Sequence, residues 1–424
     1  MRKVLETILA AYARWALALH KPQIVGITGS VGKSSAKDAI SLVLSQKFSV
    51  GATAGNFNSQ IGLPLAVLGI KKSGGFKKNL ASVFGWLWII ISAPFGILKR
   101  DFPKILVLEM GTDHPGDITG LLNITGPLSS AVLTDIGISH MEFFPSREAL
   151  AKEKLSILKG LKNSGIAILN ADNSKVLEGK SKVPNTLTYG FGPADVQAHN
   201  FHYTVRDGRP GIVFFVQTAK DSREFFIPNA VGKPAAYAAL GATAVGLSFG
   251  LDLQEVAKAL ENYHQPAGRL QIISGANGST IIDDTYNASP SSVIAALEAL
   301  SEVSSTRQLV SLGHMAELGS ESESGHRQVA DKLAAMKPDI IFLVGEKTKT
   351  IESELKNRQF AGQVFWFPDS DAAKISVKQN LLAGDWILVK GSQSARMEKI
   401  VKAIMRNPLD APKLLVRQSK QWQR

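Results

Sequence analysis

Residues 24–38 read IVGITGSVGKSSAKD, with Gly29 and Gly32 ahead of Lys33, Ser34 and Ser35. Those residue types at that spacing suit phosphate chemistry. A glycine-rich turn between a strand and a helix points backbone N–H groups at phosphate oxygens. A lysine there neutralises β- and γ-phosphate charge, and a hydroxyl reaches Mg2+. The common loop, G-x-x-x-x-G-K-[ST], would set its first glycine where this chain has Ile27, whereas the glycines here are Gly26, Gly29 and Gly32. Phosphate binding is nonetheless the expectation, because a merely tight turn leaves Lys33 unexplained. Thr28, Gly29, Ser30, Gly32, Lys33, Ser34 and Ser35 are the candidate nucleotide contacts.

A second candidate is Glu109, which follows the apolar run ILVL and is a hard oxygen ligand suited to Mg2+. Asn56 and Asn58, in GNFNSQ, offer uncharged contacts, and their bland alternative is an Asn-rich turn. His140 and Lys154 stand in a polar block after a further apolar run, where a histidine is ordinarily structural and a lysine ordinarily lies on a solvated helix face.

Positioning these residues requires strands. QIVGIT, KILVLEM, SAVLTDI and GIAILNA are short, apolar and β-branched, and they alternate with helical patterns, as a mostly parallel α/β sheet requires. Each ends in chemistry: the glycine loop, Glu109, the approach to His140, and Asn170 with Asp172. Ligands of open α/β sheets bind outside the carboxyl ends of the strands, so four polar ends are expected to share one crevice. Residues 183–228 then alternate as short strands, and PAAYAALGATAVGLSFG follows as a small-residue helix. A break at HQPAGRL opens a second domain with a hairpin turning at Asn277–Gly278, followed by further α/β units at QLVSLG, IIFLVG, QVFWFP and DWILVKG. The expected divisions are an amphipathic helix (1–20), a central domain (21–264), a C-terminal domain (265–406) and a surface tail (407–424).

Composition bounds the partners. A chain of 424 residues with 45% hydrophobic and 20% charged residues is an ordinary globular protein of two or three domains. No cysteine is present, which excludes disulfides and thiolate chemistry and suits a reducing cytoplasm. The net charge of +12 suggests anionic partners, but no arginine-rich or aromatic-interleaved basic run points to nucleic acid. At the N-terminus Glu6 and Arg14 interrupt the apolar run, while Val4, Leu5, Ile8, Leu9, Tyr12 and Trp15 recur at helical spacing. Residues 80–98, LASVFGWLWIIISAPFGIL, carry no charge and are long enough to span a bilayer. A single crossing would separate the glycine loop from Glu109. The expectation is therefore peripheral contact at the inner face of the membrane, with a buried or partner-covered helix pair as the alternative.

ITGSVGKSS resembles the T-G-[ST]-x-G-K-[ST]-[ST] loop of the Mur ligases, which build the peptide of the bacterial cell wall. TAGNFNSQIGLPL, LEMGTDHPGDI, ISHMEFFPSREALAKEKLSIL, PAGRLQ, IIDDTYNASPSS, GHMAELG and LVKGSQSARME follow in the order of the branch that adds D-alanyl-D-alanine. The resemblance implies a P-loop central domain with a mostly parallel sheet and a Rossmann-like C-terminal domain. It also implies an ATP- and Mg2+-dependent ligase that joins D-alanyl-D-alanine to a muramoyl-tripeptide through an acyl phosphate. The alternatives are a Mur-type ligase with another amine donor or acceptor, and a non-catalytic nucleotide-binding protein at the membrane.

By the same resemblance Lys33 serves the β/γ-phosphates, and Ser34, Glu109, His140 and Lys154 serve Mg2+, Lys154 as a carbamate. Asn56 and Asn58 stand near the γ-phosphate or the reacting carboxylate. Arg269, Asp284, Tyr286 and Asn287 close over the nucleotide, Asp284 on the ribose. Lys390, Gly391 and Ser392 face the incoming amine. Four departures stand out. Only residues 1–20 precede the first domain, where the family carries a domain for the uridine nucleotide. K-G-S-R reads KGSQ with Gln393, A-N-P reads Ala288-Ser289-Pro290, and the His/Asn-rich segment near adenine reads GKPAAYAAL.

Overall fold

The computed structural model describes residues 2–53, 57–70, 91, 93–95, 97–98, 101–138, 141–303, 307–419 and 422. Two sheets organise them. The first has nine strands in the order β2-β3-β1-β4-β5-β6-β7-β8-β9. Its functional half comprises β1 (Gln23–Thr28), β2 (Val50–Ala52), β3 (Ile105–Glu109), β4 (Leu128–Leu133), β5 (Leu161–Asn170) and β6 (Thr186–Gly190), all paired in parallel. Helices cover both faces, which is why β3 is buried along its whole length and reads as an unbroken apolar run. β7 (Val196–Arg206), β8 (Arg209–Gln217) and β9 (Ser222–Pro228) extend the far edge as an antiparallel meander.

β1 lies between β3 and β4. The chain leaves β1 toward one side of the sheet and later returns on the other, so the carboxyl end of β1 is a topological switch point where a crevice opens. Helix α1 (Arg2–His20) packs against α3 (Gly62–Val67) and α4 (Asp117–Thr125) on one face. Helix α2 (Lys33–Leu44) covers the other face against the helix Gly232–Ser248. Small residues permit that approach: a Cβ on Gly246 would stand 2.9 Å from Val43 Cγ1.

The second sheet has the order β10-β11-β15-β12-β13-β14. β10 (Gln271–Ser274) and β11 (Thr280–Asp284) form the antiparallel hairpin, with Asn277 at φ 56° and Gly278 at φ 79°, as a tight turn of that sequence requires. β12 (Gln308–Gly313), β13 (Ile340–Val344), β14 (Gln363–Phe367) and β15 (Trp386–Lys390) are parallel and lie where the apolar runs placed them.

Two expectations need adjustment. α1 is helical, but its buried stripe runs through Leu5, Leu9, Ala13 and Ala16, while Val4 and Trp15 are exposed at 62% and 50%. The tail folds back onto the second domain: Leu415 is 5% exposed and belongs to a hydrophobic core. Residues 80–90, 92 and 96 of the apolar run lie outside the described residues. At its end Ala93 and Ile97 are buried, and Ile91, Phe95 and Leu98 are exposed. Among the described residues no helix is long and apolar enough to cross a membrane.

Candidate active site

The crevice at the end of β1 is built by the glycine loop. Thr28, fully buried, donates its hydroxyl to Met110 O at 2.9 Å and ties β1 to the end of β3, so its side chain is structural. Gly29 passes so close to β4 that a Cβ would meet Thr134 Oγ1 at 2.1 Å. Ser30 N donates to Asp135 O at 2.7 Å, and Ser30 Oγ donates to Gly137 O at 3.0 Å. Gly32 takes φ 83° and precedes α2 without a side-chain cap, leaving the first helical N–H groups to point at the crevice. Lys33 Nζ donates to Gly29 O at 2.6 Å, which places its charge under the loop. Burial holds that ammonium below the ordinary lysine range against the opposing pull of Glu109. Ser35 faces inward from α2, and its carbonyl accepts from Tyr263 OH at 3.2 Å.

Glu109 closes the next side. It is 3% exposed at the end of β3, its Oε2 accepts from Ser34 Oγ at 2.9 Å, and its Oε1 accepts from Asn58 Nδ2 at 3.2 Å. A carboxylate and a hydroxyl side by side beneath a phosphate loop form a hard-oxygen donor pair that fits Mg2+. Among the described residues no group of three or more His, Asp or Glu side chains is gathered around it. Asn56 and His140 lie outside the described residues.

Lys154 comes from helix α5 (Arg147–Leu155) and is 1% exposed. No hydrogen bond or ion pair of its ammonium occurs among the described residues. Burial, with the Lys33 charge nearby, brings its pKa down to about 7. Glu153 beside it locks α5 to α4: its two oxygens accept from Gly116 N at 2.9 Å and Ile118 N at 2.8 Å, a carboxylate cap on a helix N-terminus. Asp135, next to the loop, accepts from Asn173 Nδ2 at 2.6 Å through Oδ1, while its buried Oδ2 has no hydrogen-bond partner among the described residues. Burial holds its carboxyl above the usual range.

The opposite wall comes from the second domain. The Arg269 guanidinium lies 3.9 Å from the Tyr286 ring centroid, and both residues face the cleft. With Lys33, Asn58, Glu109 and Asn287 they line a cleft of about 870 Å3 between the two sheets. Asp284 and Lys390 do not reach that wall. Lys390, 1% exposed, donates to Asp284 Oδ2 at 2.6 Å and Asn287 O at 2.9 Å, and Asp284 Oδ1 accepts from Leu270 N at 3.3 Å. Ser392 is equally enclosed, accepting from Ala316 N at 2.7 Å. Gly391 packs against Gly313 and Met397, where a Cβ would stand 3.0 Å from Gly313 Cα. In this structure the charges of Asp284 and Lys390 and the hydroxyl of Ser392 are engaged within the second domain and hold loops of the cleft, as buried polar groups with partners do. Gln393, exposed, is the residue of that block on the cleft wall.

Comparison with known proteins identifies both halves of the chain. The Mur ligase middle domain matches residues 94–246, and the Mur ligase glutamate ligase domain matches residues 268–393. The UDP-N-acetylmuramoyl-tripeptide–D-alanyl-D-alanine ligase of Bacillus subtilis is 33% identical over 91% of this chain and 77% of its own length. The chain belongs to the Mur ligase family. The Escherichia coli ligase of the same name is 32% identical over 93% of this Mur ligase and 79% of its own length. A Thermotoga maritima MurF ligase, solved in complex with ADP, shares the fold with a TM-score of 0.78 at 24% identity, covering 94% of this chain and 83% of that one.

Some groups of this Mur ligase site were not singled out from sequence. Asp135 and Glu153 had only weak signals, a polar residue just past a strand and an acid beside a lysine. Asp113 and His114, in the turn after β3, also line the cleft, as do Lys3 and Glu6 of α1. Nothing in the α1 sequence points to a cleft, because that placement follows from its packing on α3 and α4.

Proposed function

We propose that this Mur ligase joins D-alanyl-D-alanine to a UDP-N-acetylmuramoyl-tripeptide at the expense of ATP. The observation that carries the reading is the two-walled cleft. Ser34 and Asn58 are joined through Glu109 on one side, with Lys33 on the glycine loop beside them; Arg269 and Tyr286 stand on the other, and Lys154 is buried close by. The named relatives supply the substrates.

A carboxylate does not condense with an amine in water, because its oxygen is a poor leaving group. In the proposed reaction an acceptor carboxylate oxygen bonds to the γ-phosphorus, the bond from that phosphorus to the bridging oxygen breaks, and ADP leaves. The donor amine then attacks the acyl carbon, the C–O bond to phosphate breaks, and the amine proton passes to the phosphate or to solvent. The first step brings two anions together, so preplaced positive charge is the main requirement. Lys33 and the first N–H groups of α2 meet the phosphates from below, and Arg269 meets them from the opposite wall. Ser34 and Glu109, with His140 and a carbamate on Lys154, would hold Mg2+, which supplies further charge neutralisation when bound. Asn58 fixes Glu109 without adding charge. Residues 21–264 and 265–406 are the two bodies whose closure shields the acyl phosphate from water.

Phosphate release measured with tripeptide acceptor and D-alanyl-D-alanine tests the reading. Turnover that needs both substrates is expected; turnover with neither, or with the acceptor alone, would overturn it. Gln393 on the cleft wall, where the family carries arginine, favours one second reading, another amine donor. That reading predicts faster release with a different amino acid or dipeptide.

The apolar segment gives the ligase a place to work. Ile91, Phe95 and Leu98 are exposed at 61%, 73% and 65%, at helical spacing opposite buried Ala93 and Ile97. We infer peripheral contact with the inner face of the membrane through this segment. The Phe95→Ser/Leu98→Ser variant should sediment less with phosphatidylglycerol vesicles than the unaltered protein, and equal sedimentation would remove the inference.

A further inference from the structure

The carboxy-terminal residues are built into the nucleotide side of the second domain. After the turn Pro408–Asp410 and the helix Ala411–Leu414, Val416 reaches Gly268. A Cβ on Gly268 would stand 3.1 Å from Val416 Cγ1 and 3.0 Å from Tyr286 N, so three segments meet with no room between them. Arg417 follows at φ 58°, with its side chain 7% exposed.

Every nitrogen of that guanidinium is engaged. Nε donates to Glu398 Oε2 at 3.0 Å, and Nη2 pairs with the same carboxylate at 2.9 Å. Nη2 also donates to Thr285 O, and Nη1 donates to Tyr286 O at 3.1 Å. Glu398, 1% exposed, is shared with Arg396 at 2.6 Å. Two consecutive carbonyls of the segment DDTYN are thus clamped from the tail side, while Lys390 grips Asp284 and Asn287 O from the sheet side. Between the two grips lies Tyr286, whose ring carries Arg269. A planar fork spreads five donors over three nitrogens and so reaches two adjacent carbonyls and a carboxylate in fixed directions, whereas a lysine ammonium offers three donors from a single point.

We propose that residues 415–418 form a strap belonging to the nucleotide half-site, with Arg417 as the positioning residue that sets the Tyr286 ring and, through it, Arg269. Arg417 reaches no substrate itself. The proposal rests on the reading of the cleft as an ATP site and adds to it a part far along the chain from any phosphate-binding motif.

The test uses the full chain and ADP as the probe, with calorimetric binding and the unfolding midpoint measured together. Arg417→Lys keeps a cation for Glu398 and should unfold near the wild-type midpoint, yet bind ADP about tenfold more weakly, the size expected for losing a pair of fixed contacts. Arg417→Met should lose both affinity and stability. A merely structural arginine gives a different pattern: the lysine variant restores wild-type ADP affinity, or the methionine variant loses stability with affinity unchanged. Either result overturns the strap. Wild-type protein that binds ADP but ligates nothing ends the ligase reading and leaves the strap standing. Wild-type protein that binds no ADP overturns both.

Discussion

Replacing Lys33 with alanine should lower the rate of acceptor-dependent phosphate release by on the order of 100- to 1,000-fold, the range seen when one preorganised electrostatic contact to a reacting group is removed. The geometry sets the size of this effect. The ammonium stands 2.6 Å from Gly29 O, inside the turn that opens α2 and beside the helix N-terminus proposed to meet the phosphates. Its charge is already partly desolvated and needs no reorganisation when the γ-phosphate becomes more negative in transit. Lys33→Arg should rescue little, because a planar fork does not fit beneath a turn in which Gly29 already stands against Thr134. The unfolding midpoint should move little in either variant, since the lysine's partner is one carbonyl of its own loop. Steady-state phosphate release with both substrates checks the expectation. Activity within a few-fold of wild type would remove Lys33 from the chemistry.

The second large effect belongs to Lys154. A lysine brought to a pKa of about 7 is substantially neutral at physiological pH, and a neutral amine adds CO2 to form a carbamate. The product would put a buried anion where the free amine stood, near Lys33 and Asp135. Lys154→Ala should therefore lose activity by roughly 100-fold or more, comparable to losing a metal-site contact. Wild-type enzyme in CO2-free buffer should lose activity and regain it on addition of bicarbonate. Native mass spectrometry should show one added CO2 that disappears as pH falls below about 7, where the ammonium form takes over. The stability effect of the unmodified lysine has a definite sign. Its folded pKa lies below the unfolded value of 10.5, so the unfolded chain binds more protons between the two values. Its contribution is destabilising and fully present below about 7, and it fades as pH rises toward 10.5. Lys154→Ala should accordingly gain stability over wild type most clearly at the acidic end. Activity indifferent to bicarbonate would reject the carbamate.

The two predictions separate the two halves of the proposed chemistry. In that proposal Lys33 meets the phosphates directly, and its variants should fail whatever the gas phase contains. In the same proposal Lys154 works only as its carbamate, so removing CO2 should silence the enzyme reversibly. The strap around Arg417 belongs to neither, because it sets the opposite wall.

Much of this molecule follows from short stretches of chain. Strand, turn and helix around residues 23–44 are local properties: an apolar β-branched run, glycines where left-handed or close-packed backbone is required, and a helix opening without a cap. The hairpin at Asn277–Gly278 and the strands of the second sheet are legible for the same reason, since their signals lie within a few residues of the structure they specify. Juxtaposition is a different matter. Ser34 and Glu109 are 75 positions apart and meet because β1 and β3 pair in parallel with Ile27 opposite Glu109. Lys390 meets Asp284 because β15 pairs with β11, and Arg417 of the tail lies on the carbonyl of Thr285, 132 positions away. Periodicity and turn chemistry act over one or two turns of backbone. Which buried charge meets which partner is settled by strand order and packing, where an unpaired ion in the interior costs more than any local preference can offset.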